Sequence, residues 1–234
     1  MNFSIIHNER SGGHAIINWL IKNSPYSPVT FYNNCSFING QWHPSPKQAH
    51  IYKGEDDPFE CELGNEPSTE MKVYSFEGRK VDFTNGDQNI LIVREPRNWL
   101  ASVMKNKYKP KYHSYIDDLI NIYEFNLSHA HRYGYEILVY DRWFADENYR
   151  RNMFSKFFLQ TPLKDVATNK ISSWGGGSSF SGKEYQGAAQ KMNVLKRDKE
   201  LKKSPLKYLL FRWKSRKMRR LESLYAQYCL ETHL

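Results

Sequence analysis

Two absences narrow what this chain can be: cysteine is scarce, and no long apolar run occurs. The 234 residues include three cysteines, Cys35, Cys61 and Cys229. An odd number of cysteines at such wide spacing indicates neither a disulfide framework nor a cysteine-based metal site. No apolar stretch is long enough for a membrane span, and the N terminus lacks the charged-then-apolar pattern of a signal peptide. We therefore expect a cytoplasmic protein with reduced thiols.

Acidic residues are fewer than basic residues, and most of the excess positive charge lies near the C terminus. The chain has 34 Lys and Arg against 25 Asp and Glu, a formal net charge of +9. Residues 196–220 alone contain twelve basic and two acidic residues. The apolar spacing in residues 206–214 predicts a helix that docks by its aromatic face and keeps its basic side in solvent. Contact with an acidic partner, an anionic membrane surface or nucleic acid is the alternative. Because no nucleic-acid-binding signature accompanies the segment, we do not expect nucleic acid.

Length and patterning predict one α/β domain over residues 1–234. A chain with 16 Tyr, 13 Phe and 6 Trp has ample material for a single core. Strand-like and helix-like stretches alternate, which favours a three-layer α/β/α arrangement around a central, mostly parallel sheet. Residues 33–86 contain four prolines and lack clear periodicity before Met71, so we predict loops and short elements there that shape a ligand pocket. Residues 196–234 form a basic C-terminal helical segment.

The first functional pattern lies at the N terminus, where an apolar strand leads through a glycine turn into a helix. Residues 3–6 are typical of a buried strand, and residues 15–21 have helical apolar spacing. The turn between them contains Arg10, Ser11, Gly12, Gly13 and His14. Free backbone N–H groups and the helix dipole at such a turn favour an anion, and the turn adds a guanidinium and a hydroxyl. We interpret residues 10–14 as a phosphate-binding loop.

This loop does not end in the Gly-Lys-Ser/Thr of nucleotide triphosphatases. That ending supplies a lysine for the terminal phosphates and a hydroxyl for magnesium, and nothing nearby replaces the hydroxyl. A metal-dependent phosphoryl transferase is therefore disfavoured, although a small-molecule kinase of the phosphate-loop class is the chief alternative enzyme.

A second pattern follows another strand. Residues 89–93 form a short apolar run of the kind expected for a central parallel strand. Arg94 comes directly after it, and Pro96 stands where a helix would begin. Ser102 then lies about two turns into that helix. We expect Arg94 and Ser102 to meet one phosphate in the crevice outside the strand ends.

At these two patterns the chain resembles the sulfotransferases that use 3′-phosphoadenosine 5′-phosphosulfate (PAPS). In that family a strand precedes a Lys/Arg-Ser-Gly-Thr-Thr-type loop that holds the 5′-phosphosulfate; Gly13 and His14 stand where hydroxyl residues are usual. A second strand ends in Arg, then Asp/Glu/Asn-Pro, with a Ser eight positions after the Arg, and binds the 3′-phosphate. Arg94, Pro96 and Ser102 match that motif in identity and spacing. The resemblance spans roughly residues 3–180 and implies a P-loop NTPase-like sulfotransferase fold.

The resemblance also implies contacts with the rest of the nucleotide. Tyr140, at the end of the predicted strand 135–141, matches a family tyrosine that approaches the adenine. The family's Thr/Ser-Ser-Phe element, whose ring and hydroxyl contact adenine, is matched by Ser178, Ser179 and Phe180. The later Arg-Lys-Gly motif that closes over the 3′-phosphate is missing in that form, and its nearest substitutes are Lys183 and Arg197.

The chemistry needs a base that takes the acceptor's proton. In the family it is usually a His or Glu at the end of the strand before the one that ends in Arg, and here Glu77 follows the strand candidate 71–76. Efficient catalysis would require partial burial to raise its pKa. His14 is the second candidate base. Arg10 would stabilise the charge that builds on the leaving phosphate, and no metal is required.

Together these patterns predict a sulfotransferase that uses PAPS and acts on a hydroxyl or amine of a carbohydrate, lipid or small-molecule acceptor. Residues 33–86 would lie on the acceptor side. The alternatives are the kinase described above and a non-catalytic protein that binds nucleotides or polyanions through its basic C-terminal segment.

Overall fold

The computed structural model describes residues 1–38, 41–43, 48–53, 58–82, 86–105, 107, 109–159, 161–165 and 191–230. Their strands form a seven-stranded sheet in the order β6-β5-β2-β7-β1-β8-β9 and a separate hairpin, β3-β4. The strands are β1 Asn2–His7, β2 Val29–Tyr32, β3 Ser36–Ile38, β4 Gln41–His43, β5 Gln48–Tyr52, β6 Phe59–Glu62, β7 Met71–Glu77, β8 Gln88–Val93 and β9 Glu136–Val139.

The fold is α/β, and the central sheet is mixed. The five strands β2, β7, β1, β8 and β9 run parallel, whereas β5 and β6 add antiparallel pairs at one edge. Each of the strands predicted at residues 3–6, 71–76 and 89–93 is confirmed. The central strand β1 is buried on both faces from Phe3 to His7, which explains why its apolar residues do not alternate with exposed polar ones. Its polar residues Ser4 and His7 are buried as well.

Helices cover both faces of the sheet. They are α1 Gly13–Asn23, α2 Pro96–Met104, α3 His113–His129, α4 Tyr140–Ala145, α5 Glu147–Phe157, α6 Arg197–Leu201, α7 Pro205–Lys217 and α8 Arg219–Tyr225. The crossover through α1 leads from β1 toward one edge, and the crossover through α2 and α3 leads from β8 toward the other. Since such crossovers are right-handed, the two sets of helices lie on opposite faces.

Aromatic contacts identify what packs on the α1 face. The Trp19 ring of α1 lies 5.9 Å from that of Phe154 in α5. The ring centres of Phe3 in β1 and Phe157 in α5 are 6.0 Å apart, and the two rings pack edge to face. The C-terminal helices α6, α7 and α8 contact α2, and α8 also contacts α3, so they cover the other face.

The short elements predicted within residues 33–86 include two strands whose place in the sheet was not foreseen. Strands β5 and β6 extend the main sheet at one edge. Neither strand was apparent from the residue pattern, because β5 has only five residues and β6 is a four-residue edge strand, largely exposed, without an apolar pattern. The strand predicted at 135–141 ends earlier, since β9 covers only Glu136–Val139 and Tyr140 begins α4.

The C-terminal helix α7 also differs from its prediction. It was expected to dock by its aromatic face. Phe211 is buried, but Trp213 is 47% exposed, and the lysine Lys214 takes a buried place instead. Among the described residues, no helix is long and apolar enough to cross a membrane, and the three cysteines are free.

The Lys214 ammonium joins α7 to α3 through an ion pair. Its side chain is fully buried, and Nζ donates to Asp117 Oδ1 at 2.6 Å and to the His113 carbonyl at 2.9 Å. Burial alone would raise the pKa of Asp117, but the hydrogen bonds and charges of Lys214 and Lys217 together hold it below its ordinary value. A buried ammonium is tolerated because acceptors surround it.

Asp117→Asn should therefore weaken the fold. The buried Lys214 ammonium would lose its carboxylate, and we expect the free energy of unfolding to fall by about 2 kcal/mol. Urea denaturation of the variant and of the matched control Asp118→Asn, whose side chain is exposed, measures this effect. The double variant Asp117→Asn/Lys214→Met should recover most of the loss. Equal stability of the two single variants would contradict the assigned role of the ion pair.

Candidate functional site

The predicted site residues converge where the direction of the sheet connections reverses. Strand β1 lies between β7 and β8. The chain leaving β1 continues toward the β7 side, and the chain leaving β8 continues toward β9. In open α/β sheets ligands bind outside the carboxyl ends of the strands at such a switch point. Residues 10–14, which are predicted to bind phosphate and are called the phosphate-binding loop for that reason, follow the first of these strands, and Arg94 follows the second.

The phosphate-binding loop has a backbone that depends on its glycines. The Ser11 N–H donates to the Asn8 carbonyl at 3.2 Å, and both Arg10 and Gly12 have left-handed φ values, of 63° and 86°. A Cβ at Gly12 would stand 2.1 Å from the Tyr140 ring, and one at Gly13 would stand 2.4 Å from the ring of His7. The glycine pair therefore lets two buried aromatic rings pack directly against the loop backbone.

The loop ends at the N terminus of α1. The helix begins at Gly13, its first turn contains no acidic residue, and no described side chain caps it. Ser11 is 1% exposed, and its Oγ has no hydrogen-bond partner among the described residues. A buried hydroxyl without a partner beside an uncapped helix N terminus is suited to an anion.

Arg94 connects the second strand to the loop. Its Nη1 donates to the Arg10 carbonyl at 3.1 Å and to Ser102 Oγ at 3.0 Å, and its Nη2 donates to the Val194 carbonyl. The side chain is 5% exposed, and Nε has no hydrogen-bond partner among the described residues. Arg94 and Ser102, which were predicted to meet one phosphate, lie close enough for a direct hydrogen bond. Their proximity follows from the eight-residue spacing on a helix that starts at Pro96.

The start of α2 is fixed by its cap. The Glu95 carboxylate accepts hydrogen bonds from the backbone N–H groups of Arg97 and Asn98, at 3.0 and 2.7 Å. Pro96 occupies the first helical turn, where no N–H is needed. Together the cap and the proline set the direction in which α2 carries Ser102 back toward Arg94.

A second buried guanidinium lies close to the first. Arg197 is 2% exposed and pairs with Glu200 at 3.0 Å. Burial lowers its pKa from the ordinary value, and the positive charge of Arg94 lowers it further. Two buried cations that repel each other raise the local positive potential, which an anion would relieve.

Tyr140 and Asp141 complete the buried side of the site. The Arg94 guanidinium carbon lies 5.1 Å from the centre of the Tyr140 ring, within the range of a cation–π contact. Asp141 Oδ2 accepts the Glu95 N–H at 2.5 Å, and burial raises the pKa of this carboxyl. Tyr140 therefore stands between the loop backbone and the guanidinium.

A polar network lies on the other side of the phosphate-binding loop. Glu9 accepts hydrogen bonds from Lys107 Nζ at 2.5 Å and from the Tyr115 hydroxyl. Lys107 also donates to the Tyr115 oxygen at 3.0 Å. The sequence patterns did not indicate this network, because its members come from three segments that only the tertiary fold brings together.

Glu77 stands at the edge of this network, at the end of β7. Its carboxyl is partly exposed, and burial raises its pKa above the ordinary value; the Glu9 carboxylate adds to that rise. The charges of His14, Arg10 and Lys107 oppose it. The Arg10 side chain is exposed and forms no ion pair with the described residues.

Two histidines lie near Glu77: His7 at the end of β1 and His14 in the loop. The rings of His7 and His14 are 5.2 Å apart, edge to face. His14 Nε2 is 3.1 Å from Asn33 Oδ1, and His7 Nε2 is 3.1 Å from Ser75 Oγ. Burial lowers the pKa of His7 to about 3, so at neutral pH its 4.0 Å approach to Glu77 is not an ion pair.

His7 should make stability depend on pH. Its folded pKa of about 3 lies below the ordinary 6.5, so the unfolded chain binds more protons between these values. The contribution of His7 is complete above pH 6.5 and declines as the pH falls toward 3, by about 1.4 kcal/mol per unit at the steepest. Urea denaturation of wild type and His7→Gln at pH 8 and pH 5 compares the two. If both proteins lose the same stability between these pH values, His7 is not the group responsible.

Most of the predicted site residues meet at this switch point. The structure brings together the phosphate-binding loop, Glu77, Arg94, Ser102, Tyr140 and Arg197. Ser178, Ser179, Phe180 and Lys183 lie outside the described residues. In the part of the chain that the structure describes, no group of three or more His, Cys, Asp or Glu side chains is placed to hold a metal ion.

Comparison with known proteins identifies no relative. No protein-family model matches the chain, and no curated protein and no solved structure matches it.

Proposed function

We propose that this protein is a sulfotransferase with a P-loop-like fold, which transfers a sulfuryl group from PAPS to a hydroxyl or amine of a carbohydrate, lipid or small-molecule acceptor. The observation that carries the proposal is the hydrogen-bonded junction of Arg94 with Ser102 and with the carbonyl of Arg10. This junction joins the two strand-end segments whose sequence patterns resemble the family's two phosphate motifs.

The electrostatics of the junction favour a ligand with negative charge. Arg94 is buried and forms no ion pair among the described residues, and Arg197 adds a second positive charge nearby. Arg94 Nε and Ser11 Oγ are buried donors without partners among those residues. Phosphate oxygens would supply both the charge and the missing acceptors, so the residues present fit a phosphate-bearing ligand.

The two ends of the nucleotide would use different residues. Arg94, Ser102 and Arg197 would hold the 3′-phosphate. Ser11, the glycine pair and the N terminus of α1 would hold the 5′ end, with Arg10 beside it. Tyr140, Ser178, Ser179 and Phe180 stay predictions as adenine contacts. Since the Val194 carbonyl accepts a hydrogen bond from Arg94, that bond would be exchanged for one to phosphate.

Glu77 is the proposed general base. When bound, PAPS would supply the sulfuryl group and keep the electron pair of the broken S–O bond on its phosphate. Glu77 would take the proton from the acceptor hydroxyl or amine, and its raised pKa suits it to hold that proton. Arg10 would stabilise the negative charge that develops on the leaving phosphate. His14, next to Glu77, is the second candidate for the base.

Ser11→Ala gives the sharpest test of the nucleotide site. Because Ser11 Oγ has no partner among the described residues, its removal should leave the melting temperature nearly unchanged. Affinity for 3′-phosphoadenosine 5′-phosphate, measured by calorimetry, should fall about tenfold. Arg94→Lys should weaken binding more, by about a hundredfold, since a buried charged contact and its fork geometry are lost.

Controls separate binding from folding and from the alternative enzyme. Arg97→Ala, three residues after Arg94 with a side chain 59% exposed, should bind the bisphosphate as wild type does. Stabilisation by ATP with magnesium, and none by the bisphosphate, would instead favour the kinase. Wild-type affinity in both Ser11→Ala and Arg94→Lys would remove the site assignment.

Glu77→Gln should reduce turnover without reducing affinity for the bisphosphate. Loss of a general base costs about a hundredfold or more in kcat. In wild type, kcat/KM should fall as the pH drops through the raised pKa of Glu77, because only the carboxylate accepts a proton. The variant should lack this acid limb, which a turnover assay over a range of pH measures. Full activity of Glu77→Gln together with inactivity of His14→Ala would assign the base to His14.

A further inference from the structure

Helix α7 presents an apolar stripe to solvent. Leu206, Leu209 and Trp213 are 81%, 66% and 47% exposed, and their spacing of three and four residues places them on one face of the helix. Elsewhere in the described chain, Phe59, Leu159 and Leu195 are the large apolar side chains with comparable exposure, and they come from separate elements. The stripe on α7 is therefore a contiguous exposed apolar surface.

Basic side chains border this stripe on both sides. A helix turns by 100° per residue, which places Arg216 and then Arg212 next to Leu209 on one side of the stripe. The same geometry places Lys217 next to Leu206 on the other side. The thirteen residues of α7 include five basic and no acidic side chains. Arg212 and Arg216 are exposed and form no ion pair among the described residues. Their charge is thus free to act on a partner.

The orientation of the stripe is fixed from the opposite side of the helix. Phe211 and Lys214 are buried beneath α7, and the Lys214–Asp117 ion pair ties the helix to α3. Trp213 is held at the surface, with Lys214 Nζ and Lys217 Nζ 4.7 and 4.9 Å from the centre of its ring. A rotation that buried the leucines would expose Phe211 and break the ion pair.

We propose that the exposed face of α7 docks on the surface of a membrane that contains anionic phospholipid. Leucines and a tryptophan between flanking cations are the composition of a helix that lies in the interface, with its apolar side in the acyl boundary and its charges among the headgroups. The helix lies along the surface and does not span it, because it has thirteen residues with five charges.

Other partners fit the stripe less well. A nucleic acid would attract the arginines but would give Leu206 and Leu209 no apolar contact. A second copy of the chain, joined α7 to α7, would bring the exposed Arg212 and Arg216 of both helices together, and like charges at an interface oppose association. An anionic bilayer meets both the apolar and the basic parts of the face.

Vesicle flotation tests the proposal with the whole chain. Wild type should bind vesicles with about one-third phosphatidylserine, and bind pure phosphatidylcholine weakly. Leu206→Ser/Leu209→Ser should reduce binding at least about tenfold. Arg212→Gln/Arg216→Gln should reduce it about fivefold for each removed cation. The matched control is Leu159→Ser, which changes another leucine that is 81% exposed and should bind as wild type does.

Three further readouts identify the other outcomes. Circular dichroism melting should show that all variants keep the wild-type fold, since the changed residues are exposed. Binding to a single-stranded oligonucleotide that needs the arginines but not the leucines, without vesicle binding, would overturn the proposal in favour of a polyanion site. Sedimentation that shows a dimer converted to monomer by Leu206→Ser/Leu209→Ser would overturn it in favour of self-association. These results do not depend on the sulfotransferase proposal, because no variant alters the nucleotide site.

Discussion

The candidate site depends on a buried guanidinium, that of Arg94, which has no carboxylate partner among the described residues. Arg94 donates to the Arg10 carbonyl, to Ser102 and to the Val194 carbonyl, so one side chain joins the phosphate-binding loop, α2 and the C-terminal segment. Burial of an unpaired charge is costly. Here neutral acceptors and the Tyr140 ring offset that cost only in part, because Nε is left without a partner among the described residues. Arg94 therefore joins the elements that form the candidate site, while its positive charge is not neutralised and its Nε lacks an acceptor among the described residues.

The buried rings near Arg94 also explain why the phosphate-binding loop contains two glycines. Tyr140 lies below the guanidinium and directly against Gly12, where a Cβ would overlap the ring. The left-handed φ of Gly12 adds a second reason for glycine, since other residues adopt that conformation at a cost. Gly13 is limited in the same way by His7. The glycines thus serve ring packing and, through the open helix terminus, also permit close approach of an anion.

The parts of the site that could be predicted are those set by local chemistry. A continuous apolar run, a proline at the first turn and a fixed helical spacing were enough to place β8, the start of α2, and Arg94 and Ser102 on the same side of the crevice. Partners distant in sequence gave no such signal. The Glu9–Lys107–Tyr115 network depends on how α2 and α3 pack beside β1. Strand β5 is buried but has only five residues, and β6 has four and is largely exposed, so neither leaves a distinct pattern. The position of Arg197 beside Arg94 was suggested by family resemblance and not by any periodicity.

The net charge of the chain combines cations with different physical roles. Arg150 and Lys214 are buried and each pairs with a carboxylate, so they add little field outside the protein. Arg94 is buried and pairs with no carboxylate in the described part of the chain, so its positive charge is felt at the switch point. Arg212 and Arg216 are exposed beside apolar side chains, where their charge acts outward. A count of basic residues cannot separate these roles, because burial and pairing decide whether a positive charge supports the fold, attracts a ligand or meets a surface.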